Sequence, residues 1–112
     1  MLTSGDVVRL DLGLPEGREA GFERPAVVIT AQAVLDAAPS VVQVVPLTSR
    51  IRSRLVEVEL APDGRNGLHV ASAAQCQHVR AVSVARLGPT VGNVGAVDLG
   101  RIRETLGLLV GL

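Results

Sequence analysis

The spacing of apolar residues changes near residue 96, and this change most constrains the fold. Before that point, short apolar runs are separated by Gly, Pro and polar residues, which is typical of short β-strands. Beyond it, apolar residues recur every three or four positions, as in an amphipathic helix. The order predicts a mainly β fold, a small bent antiparallel sheet or barrel with a C-terminal α-helix. The predicted strands are residues 7–12, 25–30, 41–47, 55–60, 68–76, 78–84 and 90–94, with a short helix or turn at 31–38.

Two segments predict which side chains are buried. Residues 7–12 alternate apolar and polar side chains after Val7, which indicates a half-buried strand. Residues 55–60 alternate in the same way, so Glu57 and Glu59 are expected to face solvent. The helical stripe consists of Val97, Leu99, Ile102, Leu106, Leu109 and Val110.

The chain length suits one compact domain, which we predict to span residues 1–112. Hydrophobic residues make up 47% of the sequence, but Phe22 is the only aromatic residue, so Val, Ala and Leu must fill the core. Small aliphatic side chains each bury little area. We therefore expect further apolar surface to be buried in a homodimer.

Charge and cysteine content exclude several classes of protein. The formal net charge is zero, so the chain has no global basic field for non-specific DNA binding. Cys76 is the only cysteine, which rules out an intramolecular disulfide and suits a reducing cytoplasm. The N-terminus lacks signal-peptide features, and no apolar run approaches the ~20 residues of a membrane span. We predict a cytoplasmic protein without membrane contact.

The sequence offers little for a metal or a cofactor. His69, Cys76 and His78 are the only soft ligands, and their spacing matches no zinc motif. No phosphate-binding loop with a Gly-Lys-Ser or Gly-Lys-Thr ending is present. Cys76 is expected to be a buried inert thiol, although a nucleophile is the alternative. We predict no metal and no cofactor, and an ordinary strand position for His69.

Arg24 and Thr48 stand at the ends of two apolar strands, each beside a flexible loop. If those strands are antiparallel neighbours, the start of one lies beside the end of the other, and Arg24 meets Thr48 and Ser49 at one edge. An arginine and a hydroxyl that converge form an oxyanion site, for which phosphate is the natural ligand. The alternative is an exposed arginine near a hydroxyl that caps the strand end.

Several motifs in order resemble the MazF/PemK family of toxins. They are GDVV at residues 5–8, the Gly-rich loop with Glu19, RPAVVIT at 24–30, VVPLTS at 44–49, VRAVSVARLG at 79–88 and the C-terminal amphipathic helix. The resemblance implies an SH3-like barrel that forms a homodimer. It also implies a metal-independent endoribonuclease that cuts single-stranded RNA at short sequences, and an antitoxin partner that occludes the RNA groove. Contact with DNA is implied only indirectly, through the antitoxin complex.

The resemblance assigns roles by position. The essential arginine falls on Arg24, the essential Thr or Ser on Thr48 and the loop acid on Glu19. Arg24 would neutralise charge on the scissile phosphate and Thr48 would position it. The RNA's own 2′-OH would attack, leaving a 2′,3′-cyclic phosphate and a 5′-OH. Pro25 and Ser49, beside these residues, are assigned to substrate binding.

One position departs from the family pattern. Where many members have an acid followed by Gln, this chain has Gln77 and His78, so a base role for that acid cannot operate. His78 is a possible substitute base; otherwise Gln77 and His78 are expected to line the RNA groove. With so few aromatics, base selection would depend on hydrogen bonds and on Arg stacking, for which Arg50, Arg52 and Arg54 are candidates. A solvated hairpin face is the alternative for those three.

Two other functions remain open at this point. A CcdB-like topoisomerase poison would act through bulky anchors on the C-terminal helix, which residues 107–112 do not offer. An inactive RNA- or antitoxin-binding module would keep the barrel without activity. Retention of Glu19, Arg24, Thr48 and Ser49 argues against such decay.

Overall fold

The computed structural model describes residues 1–18 and 21–112. Seven strands are followed by one long helix, so the predicted mainly β architecture with a C-terminal helix is confirmed. Two short 3₁₀ turns, Cys76–His78 and Val84–Arg86, interrupt the second half. The strands and helices are β1 Asp6–Asp11, β2 Glu23–Val28, α1 Gln32–Leu35, β3 Val41–Thr48, β4 Glu57–Leu60, β5 Ser72–Gln75, β6 Arg80–Ser83, β7 Thr90–Asn93 and α2 Gly95–Val110.

The strands form one curled, half-barrel antiparallel sheet in the order β4-β5-β3-β2-β1-β7. β3 is the central strand and pairs with β2 along one edge. Along its other edge it pairs with β6 at its start and with β5 at its end. The Cys76–His78 turn ends β5 and separates it from β6. Residues 68–71 precede β5 and form no strand, so the predicted strand 68–76 is reduced to Ser72–Gln75.

Both faces of the sheet carry a hydrophobic core. Successive strand residues point to opposite faces, so Val7 packs in one cluster and Val8 in the other, and both are completely buried. The first strand is therefore buried on both faces at its start rather than half-buried. The cluster beneath α2 contains Val7, Val27, Val45, Leu47, Val58, Leu60, Ala74, Cys76, Val94, Leu99 and Ile102. The cluster on the other face contains Val8, Leu10, Leu12, Ala26, Val28, Leu35, Val42, Val44 and Val82.

Only the middle of the α2 stripe is buried. Leu99 and Ile102 are buried and Leu106 packs beside them. At the ends of the helix, Val97 is 79% exposed and Val110 is 66% exposed. One helix covers the sheet over a limited length, so the predicted stripe extends beyond the contact and leaves apolar surface uncovered. Within the described residues, no helix is long and apolar enough to cross a membrane.

Glu57 is buried, which corrects the expectation that it faces solvent. It is only 9% exposed, and its Oε2 accepts a hydrogen bond of 2.6 Å from Gln77 Nε2. Glu59, on the same face of β4, is exposed as predicted. The difference arises because the Cys76–His78 turn, distant in sequence, covers the start of β4.

Candidate functional site

The sheet register brings Arg24 and Thr48 together. β2 and β3 are antiparallel neighbours with Ala26 opposite Pro46. Arg24 lies two residues before Ala26 and Thr48 two residues after Pro46. Continuing the same register therefore places Arg24 opposite Thr48. Both residues line the same two adjoining pockets. The expected convergence at one edge of the sheet is therefore observed.

The Arg24 guanidinium is held by two hydrogen bonds. Its Nε donates to the Gly21 carbonyl at 3.0 Å and its Nη1 donates to Gln75 Oε1 at 3.1 Å. Gln75 is 6% exposed, so the acceptor itself is fixed within the fold. A guanidinium has five N–H donors. Two of these N–H groups form the bonds that orient the guanidinium, and the others remain for an anionic ligand.

Thr48 ends β3 and is partly buried. Its Oγ1 accepts a hydrogen bond of 3.1 Å from the Arg50 backbone N–H. Because a hydroxyl donates one hydrogen as well as accepting, Thr48 retains a donor for a ligand. The same bond turns the chain sharply after β3 and places Arg50 next to the hydroxyl. Ser49 is exposed beside it.

The larger pocket at this edge has a volume of about 460 Å³. It combines charged side chains with an apolar wall and includes the predicted binding residues Pro25 and Ser49.

Sequence reasoning missed His69, which lies here in a loop and not in a strand. Gly67 has φ +71° and a Cβ there would collide with the Val91 carbonyl, so the loop lies tightly against β7. The lining residues are Arg9, Glu23, Arg24, Pro25, Leu47, Thr48, Ser49, Arg50, Gly67, Leu68, His69, Val70 and Ser72.

The smaller pocket, which we call the arginine pocket, has a volume of about 270 Å³. It shares Arg24, Thr48 and Arg50 with the larger pocket and otherwise has different walls. His78 lines this pocket, next to Gln75. The lining residues are Arg18, Arg24, Thr48, Arg50, Arg52, Arg54, Gln75 and His78.

Gln75, and not the predicted Gln77, lies beside Arg24. The Gln77 side chain donates to buried Glu57 and lines neither pocket at the Arg24 edge. Gln75, which sequence reasoning missed, contacts Arg24. No local pattern marks Gln75, because its position depends on the pairing of β5 with β3. The predicted residue Glu19 lies outside the described residues.

A metal centre has no basis in the described part of the chain. No group of three or more His, Cys, Asp or Glu side chains there could hold a metal ion. The described residues that line the two pockets supply guanidinium, hydroxyl, amide and imidazole groups, and one carboxylate from Glu23.

Cys76 lies behind the site as a buried thiol. It is completely buried, and its Sγ contacts the Ile102 carbonyl at 3.9 Å. Burial raises the pKa of the Cys76 thiol to about 11, and the nearby Glu57 carboxylate adds to the rise. A thiol with that pKa is protonated at neutral pH and is a poor nucleophile.

We expect the free energy of unfolding to fall as the pH rises from about 9 to 11. The chain contains no Lys and no Tyr, so Cys76 is the only side chain expected to titrate there. Its folded pKa lies above the ordinary value of 9.0. The stabilisation is therefore complete below pH 9.0 and is lost as the pH passes through the folded pKa. Urea unfolding across this range, with Cys76→Ala as control, measures the effect; equal slopes in both proteins would contradict it.

Comparison with known proteins agrees with this geometry. Residues 3–110 match the family described as PemK-like, MazF-like toxin of type II toxin-antitoxin system. Endoribonuclease MazF9 of Mycobacterium tuberculosis (strain ATCC 25618 / H37Rv) is 32% identical over 96% of this chain and 95% of its own length.

Two solved structures from Deinococcus radiodurans share the fold. A crystal structure of MazF superposes with a TM-score of 0.81 at 29% identity, covering 97% of this chain and 96% of that one. MazF from a MazE-MazF crystal structure gives a TM-score of 0.74 at 28% identity, covering 97% and 95%. The match of the family to nearly the whole chain, together with the curated relative, confirms the resemblance seen in the motifs. The chain belongs to the family of PemK-like, MazF-like toxins of type II toxin–antitoxin systems.

Proposed function

We propose that this protein is the toxin of a toxin–antitoxin system and acts as a metal-independent, sequence-specific endoribonuclease on single-stranded RNA. The observation that carries the proposal is the juxtaposition of Arg24 and Thr48 at one sheet edge, where both line the same two pockets. The similarity to an endoribonuclease over nearly the whole chain supports it.

The chemistry suited to this edge is transesterification of RNA. The ribose 2′-oxygen attacks the adjacent phosphorus and loses its proton, while the bond from phosphorus to the 5′-oxygen breaks. The products are a 2′,3′-cyclic phosphate and a 5′-OH, whose oxygen takes its proton from water. Arg24 donates hydrogen bonds to the phosphoryl oxygens as negative charge accumulates, and the Thr48 hydroxyl orients the phosphate. DNA lacks the 2′-OH and is not a substrate.

His78 is the group that we assign to accept the 2′-OH proton. Imidazole side chains titrate near neutral pH and commonly act as general bases. His78 lines the arginine pocket that also contains Arg24 and Thr48. This assignment provides a base although Gln77 stands where the family pattern implies an acid.

We further propose that residues 1–112 act as one domain in the cytoplasm, as a homodimer that also binds a cognate antitoxin. A relative of known structure was crystallised as a MazE-MazF complex. Uncovered apolar side chains on α2, including Leu108 and Val110, supply surface for such contacts. The proposed mechanism requires no cofactor, and DNA would be contacted only through the antitoxin complex.

Mapping of cut sites tests the proposed activity. The purified protein is incubated with a long, defined single-stranded RNA in EDTA, and the ends are located by primer extension. We expect discrete cuts at a recurring short sequence, with a cyclic phosphate on the 3′ end of each upstream fragment by mass spectrometry. An intact RNA after incubation with folded protein, across several RNAs, would argue for an inactive binding module instead.

We expect Gln75→Leu to lower kcat about tenfold or more and to change KM little. Leu has a similar volume but cannot accept the Arg24 hydrogen bond. A hydrogen bond to a charged group contributes roughly 1.5–3 kcal/mol, and its loss leaves the guanidinium less well oriented. Steady-state cleavage of a short RNA that contains the mapped site measures both constants. Gln32→Leu, which changes an exposed glutamine outside both pockets, is the control. Equal losses in the two variants would contradict a positioning role for Gln75.

A further inference from the structure

The arginine pocket concentrates positive charge in a chain that is neutral overall. Five of its eight described lining residues are arginines, out of eleven basic residues in the whole sequence. The pocket volume is about 270 Å³. Charge of one sign around a small concave surface focuses the electrostatic potential and attracts anions. Such a concentration in a neutral protein indicates a local function.

Among the described residues, no carboxylate forms an ion pair with an arginine of this pocket. The ion pairs among residues 1–18 and 21–112 join Arg9 to Glu23, Arg65 to Asp63 and Arg101 to Asp98. None of these pairs includes an arginine of the pocket. Like charges held close together repel one another. A bound polyanion relieves that repulsion and would therefore gain affinity from it.

The loop that carries Arg50, Arg52 and Arg54 is tied down at both ends. At its start, the Arg50 N–H donates to Thr48 Oγ1 at 3.1 Å. Near its end, the Ser53 hydroxyl donates to Glu59 Oε1 at 3.3 Å. Ser53 has φ 51°, a left-handed conformation that non-glycine residues rarely adopt. These contacts hold a segment with arginine at every second position beside the Thr48 hydroxyl.

The two pockets differ in the part of a nucleotide that each can accept. The larger one, about 460 Å³, falls in the usual range for small-molecule sites and has an apolar wall that includes Leu47, Leu68 and Val70. That combination suits a nucleobase. The arginine pocket is smaller, has no aliphatic side chain among its described lining residues and suits phosphate. Since the pockets share Arg24, Thr48 and Arg50, base and phosphate subsites flank the reaction centre.

We propose that Arg50, Arg52 and Arg54 bind a backbone phosphate next to the one that Arg24 and Thr48 hold. This subsite rests on the proposed ribonuclease function. It assigns the three arginines to the backbone, where contacts supply affinity and register, instead of to stacking on bases. Sequence selection then belongs to the larger pocket on the other side of the scissile phosphate.

Salt dependence of binding tests the subsite without cleavage. The probe is a short, fluorescein-labelled, mixed-sequence 2′-O-methyl oligoribonucleotide, which lacks the attacking hydroxyl. Its affinity is measured by fluorescence anisotropy over a series of NaCl concentrations. The Arg52→Ala/Arg54→Ala variant is compared with wild type and with Arg65→Ala/Arg86→Ala, which removes the same charge outside both pockets. Each lost phosphate contact should reduce the slope of log K against log salt by about 0.7.

We expect the Arg52/Arg54 variant to show a slope shallower by about 0.7, the loss of one phosphate contact, with the control variant unchanged. On the mapped RNA, its KM should rise while kcat is retained. A slope equal to wild type, or an equal reduction in the control, would overturn the subsite. Loss of binding to polyglutamate with no change toward the oligoribonucleotide would also overturn it, in favour of an acidic protein partner.

The same measurements separate the subsite from the proposed activity. Cleavage of RNA by wild type with no change of slope in the variant would leave the ribonuclease standing and remove the subsite. A changed slope without any cleavage by wild type would support the phosphate contacts and remove the catalytic proposal.

Discussion

Replacing Arg24 with alanine is expected to lower the rate of RNA cleavage about 10³-fold or more. An arginine that stabilises charge in phosphoryl transfer is worth 10³–10⁵ in kcat in well-studied enzymes. Arg24 lines both pockets, and its guanidinium is held by Gln75. The loss should appear in kcat on the mapped RNA, under single-turnover conditions. A topoisomerase poison or an inactive binding module would not require it.

Two further variants sharpen the Arg24 test. Arg24→Lys keeps the charge but not the planar pair of donors, so we expect it to restore only part of the activity. Arg86→Ala removes an exposed arginine outside both pockets and should retain activity. Thermal unfolding checks that each variant is folded, since Arg24→Ala also leaves Gln75 Oε1 without its donor. Wild-type cleavage by folded Arg24→Ala would remove Arg24 from the mechanism.

Thr48→Val is expected to lower kcat about 10²-fold. Valine has nearly the shape of threonine, so the change removes the hydroxyl while packing is retained. A single lost donor to a developing oxyanion costs about 10²–10³ in kcat. Thr48→Ser keeps the hydroxyl and should remain within about tenfold of wild type by the same reasoning. Single-turnover cleavage rates of wild type, Thr48→Ser and Thr48→Val test this expected order of activity.

The Thr48 hydroxyl also accepts the Arg50 N–H, so loss of that turn needs a separate control. Binding of the 2′-O-methyl probe reports on the loop that carries Arg50, independently of chemistry. We expect Thr48→Val to bind the probe nearly as wild type does while its cleavage is slow. Equal losses in binding and in kcat would mean that Thr48 acts by holding the loop and not by contacting the phosphate.

Local pattern and tertiary contact contributed differently to the site. Arg24 and Thr48 could be singled out because each ends an apolar run, and their meeting required only that the two runs pair antiparallel. Gln75 and His69 could not be found in this way. Gln75 reaches Arg24 from β5, a strand about fifty positions away in sequence, and His69 reaches the larger pocket because a loop packs against β7. Neither contact leaves a periodic trace in the chain.

By itself, the sequence determined the mainly β class, the C-terminal helix and the pair of residues at the ends of the second and third strands. These features depend on the period of the apolar side chains and on which residues end each apolar run, and both are local properties. The tertiary structure alone decided that Glu57 is buried against Gln77, that Gln75 holds Arg24 and that scattered arginines line one pocket. Such contacts arise when a curled sheet brings distant segments together, and the side chains that meet there are chosen by register and packing, not by spacing along the chain.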